Sequence, residues 1–236
     1  MIFSARSVPR VRVSYDQRSG LPEEDRATPI PEFSIGPATP DDAEQLARLH
    51  QLVLPAGFLA QLGVSVLTQI YVGILSAPGT VTLCARVGGQ LGGFILGTRD
   101  TGRMFRHVLL RRGHRLALLL ALEVARRPRI LARLLESLGY PARLAPASSP
   151  GDGELVALGV APELRGCGCG LALVNALSSS LRSLRVGAYT VSFYDDNDGA
   201  SGFYKRCGFE PIGQLVMYER SWSVYRLDVT AAEPDR

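Results

Sequence analysis

The residues best suited to chemistry lie in one stretch, GELVALGVAPELRGCGCGLALVNAL at 153–177. Apolar residues run from Leu155 to Val160 and stop at Ala161-Pro162. A glycine-rich turn follows, holding Arg165, Gly166, Gly168 and Gly170, and after it Leu171, Val174, Leu177, Leu181 and Leu184 recur by threes and fours. That change of period reads as a strand, a tight loop and a helix. Glycines let backbone N–H groups crowd together at a helix N-terminus, where the helix dipole also favours an anion. A pyrophosphate suits such a loop, and each hydrogen bond to a charged acceptor contributes roughly 1.5–3 kcal/mol.

The order Arg-x-x-Gly-x-Gly differs from the dinucleotide fingerprint, and the loop lacks the Lys-Ser/Thr ending of a P-loop. It resembles the acyl-CoA loop of the GNAT family of N-acetyltransferases, with Arg165, Gly168 and Gly170 at the three motif positions. A second segment, NDGASGFYKRCGFEPIG at 197–213, is similar to that family's Asn-x-x-Ala-x-x-Phe-Tyr-x-x-x-Gly-Phe pattern. The resemblance covers roughly residues 32–228. It implies acetyl-CoA as acyl donor, no metal, and transfer to an amine by direct attack without an acyl-enzyme. Backbone groups near Leu158 and Val160 would hold the pantetheine arm, the loop from Arg165 through Gly166 to Gly170 the phosphates, and Asn197 the arm at the start of a short helix. The acyl group would sit where the 153–160 strand parts from the 186–195 strand.

Tyr204 stands where the resemblance places the acid. A phenol near pKa 10 facing a thiol near 8.5 gives up its proton uphill by roughly 2 kcal/mol in water. Desolvation in a closed cleft raises the thiolate's proton affinity and offsets that gap. Glu154 is the candidate base. It shares strand parity with Val156, Leu158 and Val160 and faces the cleft if they do, although the same residue also reads as a strand-end carboxylate in solvent. Asp195 and Asp196 are alternatives with turn or cap roles of their own. Ser192 stands where some relatives carry a catalytic Glu, a departure from their pattern. His50, His107 and His114 show no partner spacing; His50 on the first helix could face substrate, though it reads rather as a surface histidine.

The elements that must position these groups form an α/β, single GNAT-like domain. Its sheet is mixed, mostly antiparallel, of about seven strands flanked by helices. Residues 1–30 read as a disordered or loosely attached leader, 31–230 as the domain and 231–236 as a tail. Phe33 and Ile35 begin a strand, and Thr39-Pro40-Asp41-Asp42 opens a helix. A second helix is expected from Gly57 to Ser76. TVTLCARV and LGGFILGTR form a hairpin, and residues 103–143 form a helical insertion that Pro128 divides.

Composition narrows the function. The 236 residues carry a net charge of +4 and are 46% hydrophobic, which suits one domain with a full core. No apolar run reaches the ~18 residues of a membrane span, and the N-terminus lacks a secretory core. Lys205 is the sole lysine among 26 basic residues. That bias reads as a GC-rich bacterial genome, and no nucleic-acid partner is expected. Cys84, Cys167, Cys169 and Cys207 fit no zinc spacing and suit a reducing, cytoplasmic compartment. The insertion is the exception to this balance, with ten arginines against Glu123 and Glu136, a net +8 around LALLLAL at 116–122. It reads either as a helical cap or as a surface making weak contact with an anionic membrane. A catalytically silent acyl-CoA-binding module, and an acyltransferase with another donor or acceptor, are the alternative functions. The amine itself, a small molecule or a chain terminus, carries no motif.

Overall fold

The computed structural model describes residues 11–13, 32–140, 149 and 151–230. The rest of the expected leader, the 231–236 tail and the end of the insertion lie outside the described residues. Period-two segments build a single mixed sheet from β1 (Val11–Val13), β2 (Phe33–Pro37), β3 (Thr80–Val87), β4 (Gln90–Thr98), β5 (Gly153–Val160), β6 (Ala188–Tyr194), β7 (Glu210–Met217) and β8 (Arg220–Asp228). The strands lie in the order β1-β2-β3-β4-β5-β6-β8-β7. Every neighbouring pair is antiparallel except β5 and β6. The edge strand β1, which pairs with β2, lies within the span expected to be leader.

The helices are α1 (Ala43–Val53), α2 (Phe58–Gln61), α3 (Val64–Leu75), α4 (Thr101–Arg126), α5 (Ile130–Leu138), α6 (Cys169–Ser183) and α7 (Asp198–Arg206). The helix expected from Gly57 to Ser76 is two helices. Gly63, with φ +86°, turns the chain between them in a conformation that L side chains rarely adopt. Leu173, Leu177 and Leu181 of α6 cover one face of the sheet over Leu83, Ile95 and Leu155. The other face lies under α1, α3 and α4, where Leu46, Leu67 and Phe94 form one cluster and Leu96, Met104 and Val108 another.

Two irregularities in β5 set the shape of the interior around it. Leu96 pairs with Ala157 but Gly97 pairs with Leu155, so Val156 is an extra residue, a β-bulge. The bulge reverses the alternation: Leu155, Leu158 and Val160 pack toward α6, while Ala157 and Gly159 face α1 and Phe94. The parity expected to join Glu154 with Leu158 and Val160 is therefore broken. The second irregularity is that β5 pairs with β6 only over Gly153–Leu155 against Tyr189–Val191, and beyond Leu155 the two strands part.

The insertion forms two helices that stop and restart around Pro128, with Met104, Val108 and Leu116 of α4 buried against the domain. Its outer surface is unusual. Leu109, Leu110, Leu118, Leu122, Leu131 and Leu135 are exposed, Leu110 by 80%. Eight arginines between positions 103 and 133 are exposed among them. Glu123 pairs with Arg126, and Arg133 bonds to Gln61. No helix among the described residues is long and apolar enough to cross a membrane.

Candidate active site

A cavity of about 710 Å³ opens where β5 and β6 diverge. It runs through the sheet from the N-terminus of α6 on one face to α2 and α4 on the other. Tyr204, Glu154, Leu158, Val160, Arg165, Gly166, Gly170 and Asn197 all line it. Gly168 is the one expected site residue outside the lining; it is the N-cap of α6.

At the α6 end, Gly166 and Gly168 both take positive φ, +77° and +81°. The first helical bond runs from the Ala172 N–H to the Gly168 carbonyl. The N–H groups of Cys169, Gly170 and Leu171 thus have no partner within the helix. A Cβ on Gly166 would meet nothing within 4 Å, whereas one on Gly170 would lie 3.1 Å from the Phe203 ring. Gly166 keeps the approach to the helix end open, and Gly170 lets α7 pack against it. Ala161 donates its N–H to the Gly92 carbonyl on β4. By alternation the N–H and C=O groups of Leu158 and Val160 point the other way, to the edge that β6 has left. Arg165 donates from Nε to the Val160 carbonyl at 3.2 Å. Asn197 caps α7, its Oδ1 accepting from the Ala200 N–H at 3.0 Å.

Tyr204 is held by aromatic rings. Phe193 stacks on it at 5.3 Å between centroids, and Phe203 and Phe209 meet it edge-on. Burial pushes its pKa above the ordinary phenol value, so the hydroxyl stays protonated at neutral pH. That hydroxyl has no hydrogen-bond partner among the described residues. Since only Gln69 Oε1 and Thr82 Oγ1 are both buried and unpartnered there, it keeps access to the cavity.

Glu154 is not the solvated strand-end carboxylate that its position allowed. It is 3% exposed. Tyr140 donates to its Oε1 at 2.5 Å and Thr101 donates to its Oε2. The Ser192 hydroxyl lies 3.2 Å from the Tyr140 oxygen. Burial raises the carboxyl pKa to about 7, with the bonds from Thr101 and Tyr140 acting against it. A carboxylate poised there exchanges a proton near neutrality. Thr101 opens α4 and Tyr140 follows α5, so the segment holding these two helices bonds to this one side chain at both flanks. Neither residue stood out in the sequence, because a lone Thr and a lone Tyr carry no spacing signal.

The remaining candidates fall elsewhere. Asp195 accepts from Ser223 and Gln214, Asp196 pairs with Arg220 at 2.6 Å, and neither lines the cavity. His50 is not a surface residue. It is buried on α1, stacked on Phe94, with Nδ1 2.8 Å from the Tyr71 hydroxyl. Burial lowers its pKa to about 4, so it is neutral where it meets the cavity.

Comparison with known proteins agrees with this fold. The model of the acetyltransferase (GNAT) family matches residues 68–209. No curated protein matches the chain in sequence. Among solved structures, one named SsHAT is similar at 23% identity and a TM-score of 0.60, covering 84% of this chain and 98% of its own. An N-acetyltransferase from Staphylococcus aureus Mu50 has 14% identity and a TM-score of 0.54, covering 82% and 99%. The ribosomal-protein-S18-alanine N-acetyltransferase from Escherichia coli has 11% identity and a TM-score of 0.54, covering 86% and 98%. At these identities the likeness is one of fold.

The raised pKa of Glu154 has a stability consequence. The folded state binds this proton more tightly than the unfolded chain, so the wild type loses stability as pH rises from about 4.5 through about 7. Glu154→Gln keeps the shape without the buried charge. It is expected to gain about 1–3 kcal/mol over the wild type at pH 8 and little at pH 5. Urea unfolding at both pH values measures this, and an equal difference at the two would contradict a buried ionising carboxyl.

Proposed function

Because the chain belongs to the GNAT acetyltransferase family, we propose that it transfers an acetyl group from acetyl-CoA to a primary amine by direct attack of the amine nitrogen. The observation that carries this reading is the unpaired edge of β5, which runs through one cavity from the glycine loop to Glu154. The residues fit the donor. Gly166, Gly168 and the open end of α6 form a cradle for a pyrophosphate, and the outward backbone groups of Leu158 and Val160 match an amide-bearing arm. Arg165 adds a positive charge at the rim, and Asn197 borders the same channel.

When bound, acetyl-CoA supplies a thioester whose carbonyl carbon forms the new C–N bond as its C–S bond breaks. Glu154 takes the proton of the incoming ammonium, directly or through a water, and so frees the nitrogen lone pair. Tyr204 holds the proton that the departing sulfur takes and is restored by one that the nitrogen sheds. Holding both reactants in the gap between β5 and β6 supplies most of the rate, since effective molarities reach ~10⁵–10⁸ M. The four cysteines are free thiols, which supports a reducing, cytoplasmic setting. We also place α4 and α5 against an anionic lipid surface. Its support is the interleaving of exposed arginines and leucines, which suits shallow insertion among acidic headgroups.

Gly168→Val forces a branched side chain into a left-handed conformation at the loop and is expected to weaken acetyl-CoA binding at least tenfold, on the order of 1.4 kcal/mol. Titration calorimetry reads this, and unchanged affinity in a folded variant would remove the loop from the donor site. Tyr204→Phe should retain affinity and lose turnover by roughly 10²–10⁴. In the wild type kcat/KM should rise with pH through about 7, because the base form of Glu154 exists only above its raised pKa, and Glu154→Gln should lose that limb. A protein that binds acetyl-CoA yet releases no thiol with any amine would instead be a silent acyl-CoA-binding module. For the surface, co-sedimentation with phosphatidylserine vesicles at low salt, lost at high salt and absent with phosphatidylcholine, is the expected result. No binding at low salt would leave α4 and α5 as a cap alone.

A further inference from the structure

The half of the cavity beyond Glu154, on the α2 and α4 face, has walls of a distinct chemistry. Phe58, Leu59, Phe105, Met217, Tyr218 and Trp222 border it. Phe58 and Tyr218 lie 5.3 Å apart between centroids, and Trp222 leans on Tyr194 at 4.3 Å. Apart from tyrosines, the ionisable side chains lining the cavity among the described residues are His50, Glu154 and Arg165. Arg165 sits at the glycine loop, and His50 is neutral with its Nδ1 engaged by Tyr71. Among the described residues, Glu154 is therefore the one charge lining this half.

Its polar tips are already engaged. The Tyr218 hydroxyl bonds to Ser137 Oγ at 2.6 Å, and Tyr140 donates to Glu154. Tyr194 donates to the Ala56 carbonyl at 3.1 Å, and the Trp222 indole N–H donates to the Met217 carbonyl at 3.2 Å. These bonds occupy the polar atoms of those four rings and leave their carbon surfaces to line the space. A sugar would strip its hydroxyls of water there without replacing their hydrogen bonds. Among the described lining residues, a second ammonium would find no second carboxylate, and an acceptor carboxylate or phosphate would find no cation.

We infer that the acceptor is a monoamine with an apolar body of aromatic size, its ammonium directed to Glu154 and its body packed against the wall that Phe58, Tyr218 and Trp222 form. This rests on the acyl-transfer reading and names the substrate class of the same site. Polyamines, amino sugars and amino acids with a free carboxylate are the classes that these walls reject.

The test uses the full-length protein with saturating acetyl-CoA at pH 8, following thiol release with 2-phenylethylamine, hexylamine, spermidine, glucosamine and a short peptide with a free N-terminus. The expected result is a kcat/KM for 2-phenylethylamine on the order of 10²-fold above those for glucosamine and spermidine, the selectivity that one buried aromatic ring contributes. Trp222→Ala should raise the KM for 2-phenylethylamine about tenfold or more and leave the KM for acetyl-CoA unchanged. Phe58→Ala is the second variant, should the first not fold. Preference for spermidine, glucosamine or the peptide, with acetyl-CoA binding and turnover intact, overturns the acceptor assignment alone. Failure to bind acetyl-CoA, or binding with no amine acetylated, overturns the acyl-transfer reading and this inference with it.

Discussion

Two neighbouring strands that part inside a sheet leave backbone donors and acceptors facing each other across a gap too wide to bridge. That constraint governs this protein. After Leu155 the outward groups of β5 have no strand to pair with, and unpaired backbone groups shut away from water are costly. Arg165 meets part of the demand by bonding to the Val160 carbonyl. The rest face a cavity that an extended, amide-rich ligand can enter as a strand would. The need to satisfy the backbone and the proposed seat for a donor are the same feature viewed from two sides.

The bulge at Val156 acts next to this opening. One extra residue sends Glu154 to the α4 face while Leu155, Leu158 and Val160 stay with the α6 core. A regular strand would have put the carboxylate on the face of Leu158 and Val160. Displaced from there, it sits where Thr101 and Tyr140 bond to it and where burial lifts its pKa into the neutral range.

How much could be read from the chain depends on how local each signal is. The glycine loop, the α6 helix and the Asn197 to Gly208 segment were legible because their motifs are contiguous and their periods unambiguous. Bulges are not written in the alternation of side chains, so the strand face that Glu154 takes could not be read from it, although Glu154 lines the cavity as the candidate base should. The break at Gly63 was hidden inside an apolar period that continues on both sides of it. His50 looked like a surface residue because its partners, Tyr71 and Phe94, come from distant elements. The walls of the cavity's far half were invisible for the same reason. Phe58, Phe105 and Trp222 come from separate elements and border one cavity only after the sheet has formed.

The excursion between β4 and β5 begins at Thr101 and returns at Tyr140, and both ends reach the same carboxylate. The entropy of closing a loop grows only with the logarithm of its length, so once the ends are pinned, the number of residues between them matters little. Turns of helix can be gained or lost between α4 and α5 at small cost to the domain, provided that the two hydroxyls at the base are kept. The segment is held at its base by one carboxylate and along Met104, Val108 and Leu116 by the domain, while its outer surface of leucines and arginines stays exposed.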